Sequence, residues 1–422
     1  MGGTVHVVGA GLAGLAAAVR LSAHHRRVIL WEAAPHAGGR ARSFYDEGLG
    51  AAIDNGNHLM LSGNRAVGEL VSLIGSQEER VVLDHARFPF LDVKTGRVWS
   101  VDLNAGRLPW WVFASSRRPP GTHGLGLLAD AGRLMRARGD QAVTDVLNPA
   151  TAAFRLFWEP LSVAVLNAPA GQGSARLLAN VMAETLGRGG ARARPVLARR
   201  GLSRLFADPA LRFVQGHHGD VRPGARLKGI EVDGNRVAGF HVEHRGRSET
   251  VALGAGDALV LAVPPEAAAS LLPGLQTPKG SHAIANVHFR LPDGGARGAS
   301  ILGLVGAQAH WLFLRENVAS VTISAADGLI DRAGEDLAAM LWAEVCGPLG
   351  FAGAPTPPAR VIKERRATFA ATPANEARRP GTATDAANLF LAGDWTVTGL
   401  PATIEGAVRS GFAAAEVIMG TG

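Results

Sequence analysis

The chain opens on a four-residue apolar run, Val5–Val8, too short for a helix and of the length of a strand buried on both faces. A glycine-punctuated turn over 9–14 follows, then an alanine-rich stretch over 15–22 that predicts a helix, then a second apolar run over 28–31. Strand, turn, helix and strand in that order start a βαβ unit. Between about 70 and 212 the apolar positions recur at helical spacing, over 125–138, 142–146 and 174–186, cut by proline and glycine turns, and predict a helical insertion. Strand-like alternation returns over 229–232, 236–244 and 258–263, and again over 282–289, 310–314 and 318–324. Near the end, Leu389–Leu391 precedes Gly393 and Asp394, and a helix is predicted from about 404 to 419. That last strand and helix rejoin the opening unit, so two distant segments share one domain.

The predicted fold class is α/β, with a Rossmann-like dinucleotide-binding domain assembled from 1–70, 201–270 and 381–422. A helical, membrane-facing substrate insertion is expected over 71–200, and the sheet of an interleaved α+β substrate domain over 271–380. At 422 residues the chain is long enough for two or three lobes of roughly 100–200 residues each. Its hydrophobic content of 47% includes no uninterrupted apolar run of about 18 residues, so no spanning helix is expected. The first apolar stretch is broken by Gly9, Gly11 and Gly14 and lacks a basic leader, so it reads as folded structure rather than a secretory signal, and a cytoplasmic location is expected. Cys346 is the single cysteine, which excludes an internal disulfide and a cysteine-based metal cluster; its place in a helical pattern reads as a buried structural thiol, and no metal site is expected.

The formal charge of +7 is unevenly placed. Arg107, Arg117, Arg118, Arg133, Arg136 and Arg138 stand against the single acid Asp130, with Trp110, Trp111 and Phe113 beside them. Indoles that favour the headgroup level, among arginines that attract anionic lipid, suit peripheral contact with the inner face of the cytoplasmic membrane. A solvated basic loop over a core tryptophan pair is the other reading. No nucleic-acid-reading module is found, and nucleic acid is not an expected partner.

Gly9-Ala10-Gly11-Leu12-Ala13-Gly14 has the GxGxxG spacing of a phosphate-binding turn. Gly9 permits the tight turn, Gly11 lets backbone approach a pyrophosphate, and Gly14 lets the helix close on its strand. Glu32, 18 residues beyond Gly14, is placed to accept hydrogen bonds from adenosine ribose hydroxyls and to disfavour a 2′-phosphate. Gly38 and Gly39 add a second close approach, and Arg40 a guanidinium for the phosphates, an extension that favours FAD over NAD. No second GxGxxG offers a nicotinamide domain, so an external electron donor is expected. At the far end Asp394, after a strand, can hold a ribityl or phosphate-linked hydroxyl. A helix starting near Thr403, after Pro401 and Ala402 and running into Ile404, would aim its free N–H groups at the N1/C2=O edge of a flavin.

This two-ended pattern resembles the flavin amine oxidase and phytoene desaturase superfamily over nearly the whole chain. Within it, Asp54-Asn55-Gly56-Asn57-His58, Phe157-Trp158-Glu159-Pro160-Leu161 with Asn167 and Pro169, Gly393-Asp394-Trp395-Thr396, and the run from Gly399 to Ala407 are most similar to the squalene-associated branch, the hydroxysqualene dehydroxylases. That branch usually carries Gln where this chain has Asn57, which keeps an amide on the cofactor side. The resemblance implies FAD as cofactor, Val221 as an adenine-side backbone contact, and 260–263 as a strand approaching the cofactor. It also implies a reduction on the hopanoid route: a lipophilic isoprenoid, hydroxysqualene, loses its hydroxyl and receives hydride from reduced FAD to give squalene.

Such chemistry needs an acid and an apolar tunnel. The catalytic candidates are His58, on the segment expected near the flavin, and Glu159, in an apolar setting that would keep it protonated; a structural histidine and a helix-capping glutamate are the plainer readings. Phe154, Phe157 and Trp158 line a tunnel or form ordinary core. Oxidation on the same scaffold, by a carotenoid-type desaturase or an amine oxidase, is the alternative, though Tyr45 as the single tyrosine leaves an amine oxidase's aromatic cage poorly supplied. A flavin-binding module without turnover is the further rival.

Overall fold

The structure, a computed structural model, describes residues 3–292 and 300–420. Its spine is a five-stranded parallel sheet in the order Asp220–Pro223, Val28–Glu32, Val5–Val8, Ala258–Leu261, Leu389–Leu391. The inner strands are nearly continuous apolar runs because both faces are covered, and the period of two splits them cleanly. Ile29 and Trp31 turn to one face with Phe240 and Val242, while Val28 and Leu30 turn to the other, against helices. On the helical face Leu12–Ala23 lies beside Ile404–Gly420, with the Arg20 guanidinium 3.9 Å above the Phe412 ring. The opposite face carries an antiparallel meander of Ala225–Asp233, Arg236–His244 and Arg247–Ala252.

A second sheet has seven strands, in the order Ala359–Phe369, Ser281–Arg290, Val318–Ile323, Trp311–Arg315, Ser300–Val305, Arg87–Asp92, Val98–Asp102. Its pairs are antiparallel except where Gly303 to Val305 run parallel to Phe90 to Asp92. One face is apolar: Ala285, Val287, Phe289, Ala319, Val321 and Ile323 pack on helix Gly334–Val345. The other face is polar yet buried, carrying Asn286, His288, Ser320 and Thr322. A buried polar face requires partners, and its partners come from the chain that runs past the parallel sheet.

Helices Gly124–Met135, Val143–Val146, Glu159–Leu166 and Ala175–Glu184 occupy the region expected to be helical. That region is not wholly helical, however. Arg87–Asp92 and Val98–Asp102 join the seven-stranded sheet, and Arg80–Val82 and Pro195–Ala198 pair in a small sheet with Met60–Leu61. Strands Arg247–Ala252, Ser300–Val305 and Ala359–Phe369 were likewise not expected; the first and last expose much of their length, so polar side chains dilute the apolar alternation. Cys346 follows helix Gly334–Val345 and is half-buried, less enclosed than its helical pattern suggested.

Candidate active site

The glycine-rich turn, Glu32 and the 38–40 loop form one stitched surface. The Gly9 N–H donates to the Trp31 carbonyl oxygen at 2.7 Å, the Ala10 N–H to Glu32 Oε2 at 2.7 Å, and the Gly38 N–H to the Ala10 carbonyl oxygen at 2.8 Å. The Ala34 N–H donates to Glu32 Oε1 at 2.7 Å, so the carboxylate is fixed with lone pairs remaining on both oxygens. Val221 lies opposite Leu30, on the strand beside the one that ends in Glu32.

Three glycines of the turn differ in what makes them glycine. Gly9 has φ +102°, and a Cβ on Gly14 would sit 1.8 Å from the Gly9 carbonyl oxygen, so conformation requires the first and packing the second. Gly11 has an ordinary φ of −71°, and a Cβ there would meet nothing within 4 Å. Neither the backbone nor any protein atom requires glycine at that position, whereas a ligand pressed against the backbone would. Helix Leu12–Ala23 begins there with no side-chain cap and no acid in its first turn, so its leading N–H groups face the same open space. These features fit the pyrophosphate of FAD.

The line continues to the far end of the chain. Gly39, at φ +54°, lies against Gly11, and Arg40 reaches Asp394 Oδ2 from Nη2 at 2.6 Å and the Ala367 carbonyl oxygen from Nη1. Asp394 is buried on a loop braced from both sides. Ser410 Oγ accepts from the Gly393 N–H at 2.8 Å, and Trp395 Nε1 donates to the Val263 carbonyl oxygen at 2.9 Å. Helix Ile404–Gly420 starts one residue after Thr403, whose Oγ1 accepts from the Gly406 N–H at 3.0 Å, with Pro401 and Ala402 just before it.

Asn57 ties this segment to the polar face of the second sheet. Its amide donates to Thr322 Oγ1 at 2.9 Å and to Asn286 Oδ1 at 3.4 Å. His58 Nδ1 lies 2.9 Å from the Gly56 carbonyl oxygen, which fixes the proton on Nδ1 and leaves Nε2 as an acceptor. Burial pushes the His58 imidazole below its ordinary pKa. Glu159 is elsewhere. It opens helix Glu159–Leu166 directly after a π-helical turn, Phe154–Trp158, and burial raises its carboxyl above the ordinary glutamate range. It lines a cavity of about 490 Å³ with Phe154, Val163, His310 and Ser324, whereas His58 lines a cleft of about 40 Å³ with Asp54, Phe313 and Arg315. The two catalytic candidates therefore do not share a cavity, while the glycine turn, Glu32, Gly38, Gly39, Arg40 and Asp394 form one continuous surface.

Arg379, Asn286 and Thr322 carried no sequence reading, and Glu405 stood only within the run from Gly399 to Ala407. Arg379, with a fully buried side chain, donates to the Asp394 carbonyl oxygen at 3.0 Å, to the Thr396 carbonyl oxygen, and to Thr398 Oγ1 at 2.8 Å. It also pairs with Glu376 Oε2 at 2.8 Å, and its two main-chain acceptors leave no trace in side-chain pattern. Glu405 is buried and accepts from the Ala66 and Val67 N–H groups at 3.0 Å each, capping helix Arg65–Leu73 from another element. Asn286 and Thr322 look like stray polar residues in strands until the sheet brings them side by side at 2.8 Å.

Comparison with known proteins agrees with this geometry. The family model described as flavin containing amine oxidoreductase matches residues 12–293 and 360–419. A hydroxysqualene dehydroxylase of Rhodopseudomonas palustris is 44% identical over 426 residues, covering 100% of each chain. Another of that name from Sinorhizobium fredii is 43% identical over 98% of each chain. Among solved structures, cyclohexylamine oxidase from Brevibacterium oxydans superposes with a TM-score of 0.70 at 18% identity, covering 100% of this chain and 99% of its own, a likeness of fold.

Proposed function

The chain belongs to the family of flavin containing amine oxidoreductases and, within it, to the hydroxysqualene dehydroxylases; from that membership we propose that it reduces hydroxysqualene to squalene with FAD as its cofactor. The observation that carries this reading is the match to relatives of that name along the full length of both chains. In the net reaction the allylic C–O bond breaks, a C–H bond forms at the same carbon, and the hydroxyl leaves with a proton as water. FAD in its reduced form would supply the hydride there, and an external donor would restore it between turnovers.

The residues divide the work. Gly11 and the start of helix Leu12–Ala23 would hold the pyrophosphate, Glu32 the adenosine ribose, Arg40 and Asp394 the phosphate and ribityl side, and the start of helix Ile404–Gly420 the flavin edge. For the proton we favour Glu159. Although Glu159 keeps part of its surface exposed, partial desolvation raises its carboxyl above the ordinary glutamate range and so favours the protonated form, and the hydroxyl leaves as water only after its oxygen takes up a proton. Phe154 and Val163 give the cavity an apolar side against which an isoprenoid chain would lie. His58, held neutral, serves as a hydrogen-bond acceptor that orients the cleft rather than as the donor.

We further propose that the lipophilic substrate is collected at a membrane surface by a peripherally bound protein. Among the described residues no helix is long and apolar enough to cross a membrane. Anaerobic incubation of the FAD-loaded protein with hydroxysqualene and a chemical reductant, followed by lipid extraction, tests the activity. Squalene formed in proportion to reductant consumed supports it; recovery of unchanged alcohol contradicts it.

A further inference from the structure

Four large apolar side chains are exposed together on one surface: Leu108 at 65%, Trp110 at 65%, Phe113 at 53% and Leu125 at 73%. They are held there by structure. The 3₁₀ turn Trp110–Phe113 and helix Gly124–Met135 meet where a Cβ on Gly124 would come 3.2 Å from the Phe113 ring, and the Trp110 and Phe113 rings lie 6.3 Å apart. The turn is anchored from beneath, since Trp111 is buried with its ring 6.3 Å from Phe157. Of the tryptophan pair, then, one is core and only Trp110 faces outward. Burying apolar side chains is favourable by about 1.5–3 kcal/mol each, so a turn and the start of a helix that together leave four in water are built for something that covers them.

The charge around this surface is mostly positive, the exposed Asp140 being paired with Arg138 at 3.3 Å. Arg107, Arg133, Arg136 and Arg138 are exposed, and Arg107 and Arg136 have no carboxylate partner among the described residues. Asp130 is withdrawn into the interior, bound by Arg133 and by Trp158 Nε1 at 3.0 Å. We propose that this surface seats on an anionic phospholipid bilayer, with Trp110 and Phe113 at the headgroup level and the arginines on lipid phosphates. Its purpose, delivery of a lipid-soluble substrate, rests on the function proposed above; the contact itself rests on this surface. The same helix that carries Leu125 outward sends Asp130 inward to Trp158, whose ring lies 4.7 Å from Phe157, and the adjoining Phe154 and Glu159 line the 490 Å³ cavity. Aromatic contacts from Trp111 through Phe157 to Trp158 thus link the surface to the segment that lines the cavity.

Flotation of the FAD-loaded full chain with vesicles tests the proposal, using phosphatidylcholine alone or mixed with phosphatidylglycerol. Binding is expected to the mixed vesicles and to weaken in high salt. The double variant Trp110→Ser, Phe113→Ser should lose about tenfold or more of that partitioning while keeping its flavin, whereas Val232→Ser, an exposed apolar residue on the meander, should lose none. Arg107→Glu with Arg136→Glu, which leaves the apolar residues in place, should abolish the preference for phosphatidylglycerol. Unchanged binding by both double variants overturns the proposal. So does a wild-type dimer that Trp110→Ser, Phe113→Ser dissociates without any vesicle binding, since the surface then belongs to a second copy of the chain. Turnover of hydroxysqualene dissolved in detergent should be unaffected by Trp110→Ser, Phe113→Ser and slowed only when the substrate is embedded in vesicles. If the wild type turns over neither form, the functional reading fails while flotation still decides the surface.

Discussion

Arg40 and Asp394, 354 positions apart in the chain, meet at 2.6 Å. The contact joins the loop after the second parallel strand to the loop after the last, so the surface of the glycine turn, Arg40 and Asp394 closes only when both ends of the chain have folded onto one sheet. Arg40 is 44% exposed and Asp394 is 7% exposed, so removing the cation leaves a mostly buried carboxylate alone. Arg40→Ala should cost about 1–2 kcal/mol, less than the 3–5 of a fully buried pair, and should weaken FAD binding as well. Thermal unfolding with and without added FAD separates the two effects.

Gly11 and Gly14 should respond differently to the same methyl group. Gly11→Ala should leave the melting of the FAD-free protein within about 0.5 kcal/mol of wild type, because its Cβ enters open space, yet lower bound FAD about tenfold or more. Gly14→Ala drives a methyl into the Gly9 carbonyl and should destabilise the FAD-free protein by about 1–3 kcal/mol. The flavin-to-protein absorbance ratio and the melting of the stripped protein read the pair.

Burial raises the Glu159 carboxyl, so it holds its proton to higher pH than an ordinary glutamate. As the donor, it makes kcat greatest on the acid side and falling as pH rises through the raised value. Glu159→Gln should cut kcat by about 100-fold or more and remove that limb from the pH profile. On stability, the raised folded pKa gives a contribution present below the unfolded value and lost as pH rises through the folded one. Glu159→Gln should therefore unfold less readily than wild type at neutral pH.

Burial also holds the His288 imidazole down, at about 4 against an ordinary 6.5, with its Nδ1 2.7 Å from Ser320 Oγ. The folded state resists protonating this ring, so its contribution is full above pH 6.5 and is lost as pH falls towards 4. His6, also lowered to about 4, steepens the same limb. Urea unfolding should show His288→Gln losing about 2 kcal/mol less than wild type between pH 7 and pH 5, whatever its stability at pH 7.

The parts of this molecule legible in its sequence are those whose logic is local. Gly9 to Gly14, Glu32 and Gly38 to Arg40 follow one another within a single βαβ unit, and helix Ile404–Gly420 begins where its proline and threonine place it. What could not be read depends on partners far away. Arg87–Asp92, with a proline inside, becomes a strand by lying parallel to a strand more than two hundred residues on, and its own alternation is weak. Arg379, Asn286 and Thr322 gain their meaning from carbonyls and amides that only the folded chain brings near. Trp110 and Trp111 are neighbours with the same side chain and opposite fates, decided by whether Phe157 lies beneath them.

The central claim is the direction of electron flow, and a single turnover reads it. FAD-loaded protein is photoreduced without oxygen and mixed with hydroxysqualene, while the oxidised-flavin absorbance is followed and the lipid extracted. The account predicts return of the oxidised band with one squalene formed per flavin. A flavin that stays reduced, together with bleaching of the oxidised protein by squalene or a linear polyene, would contradict it and make the protein a desaturase.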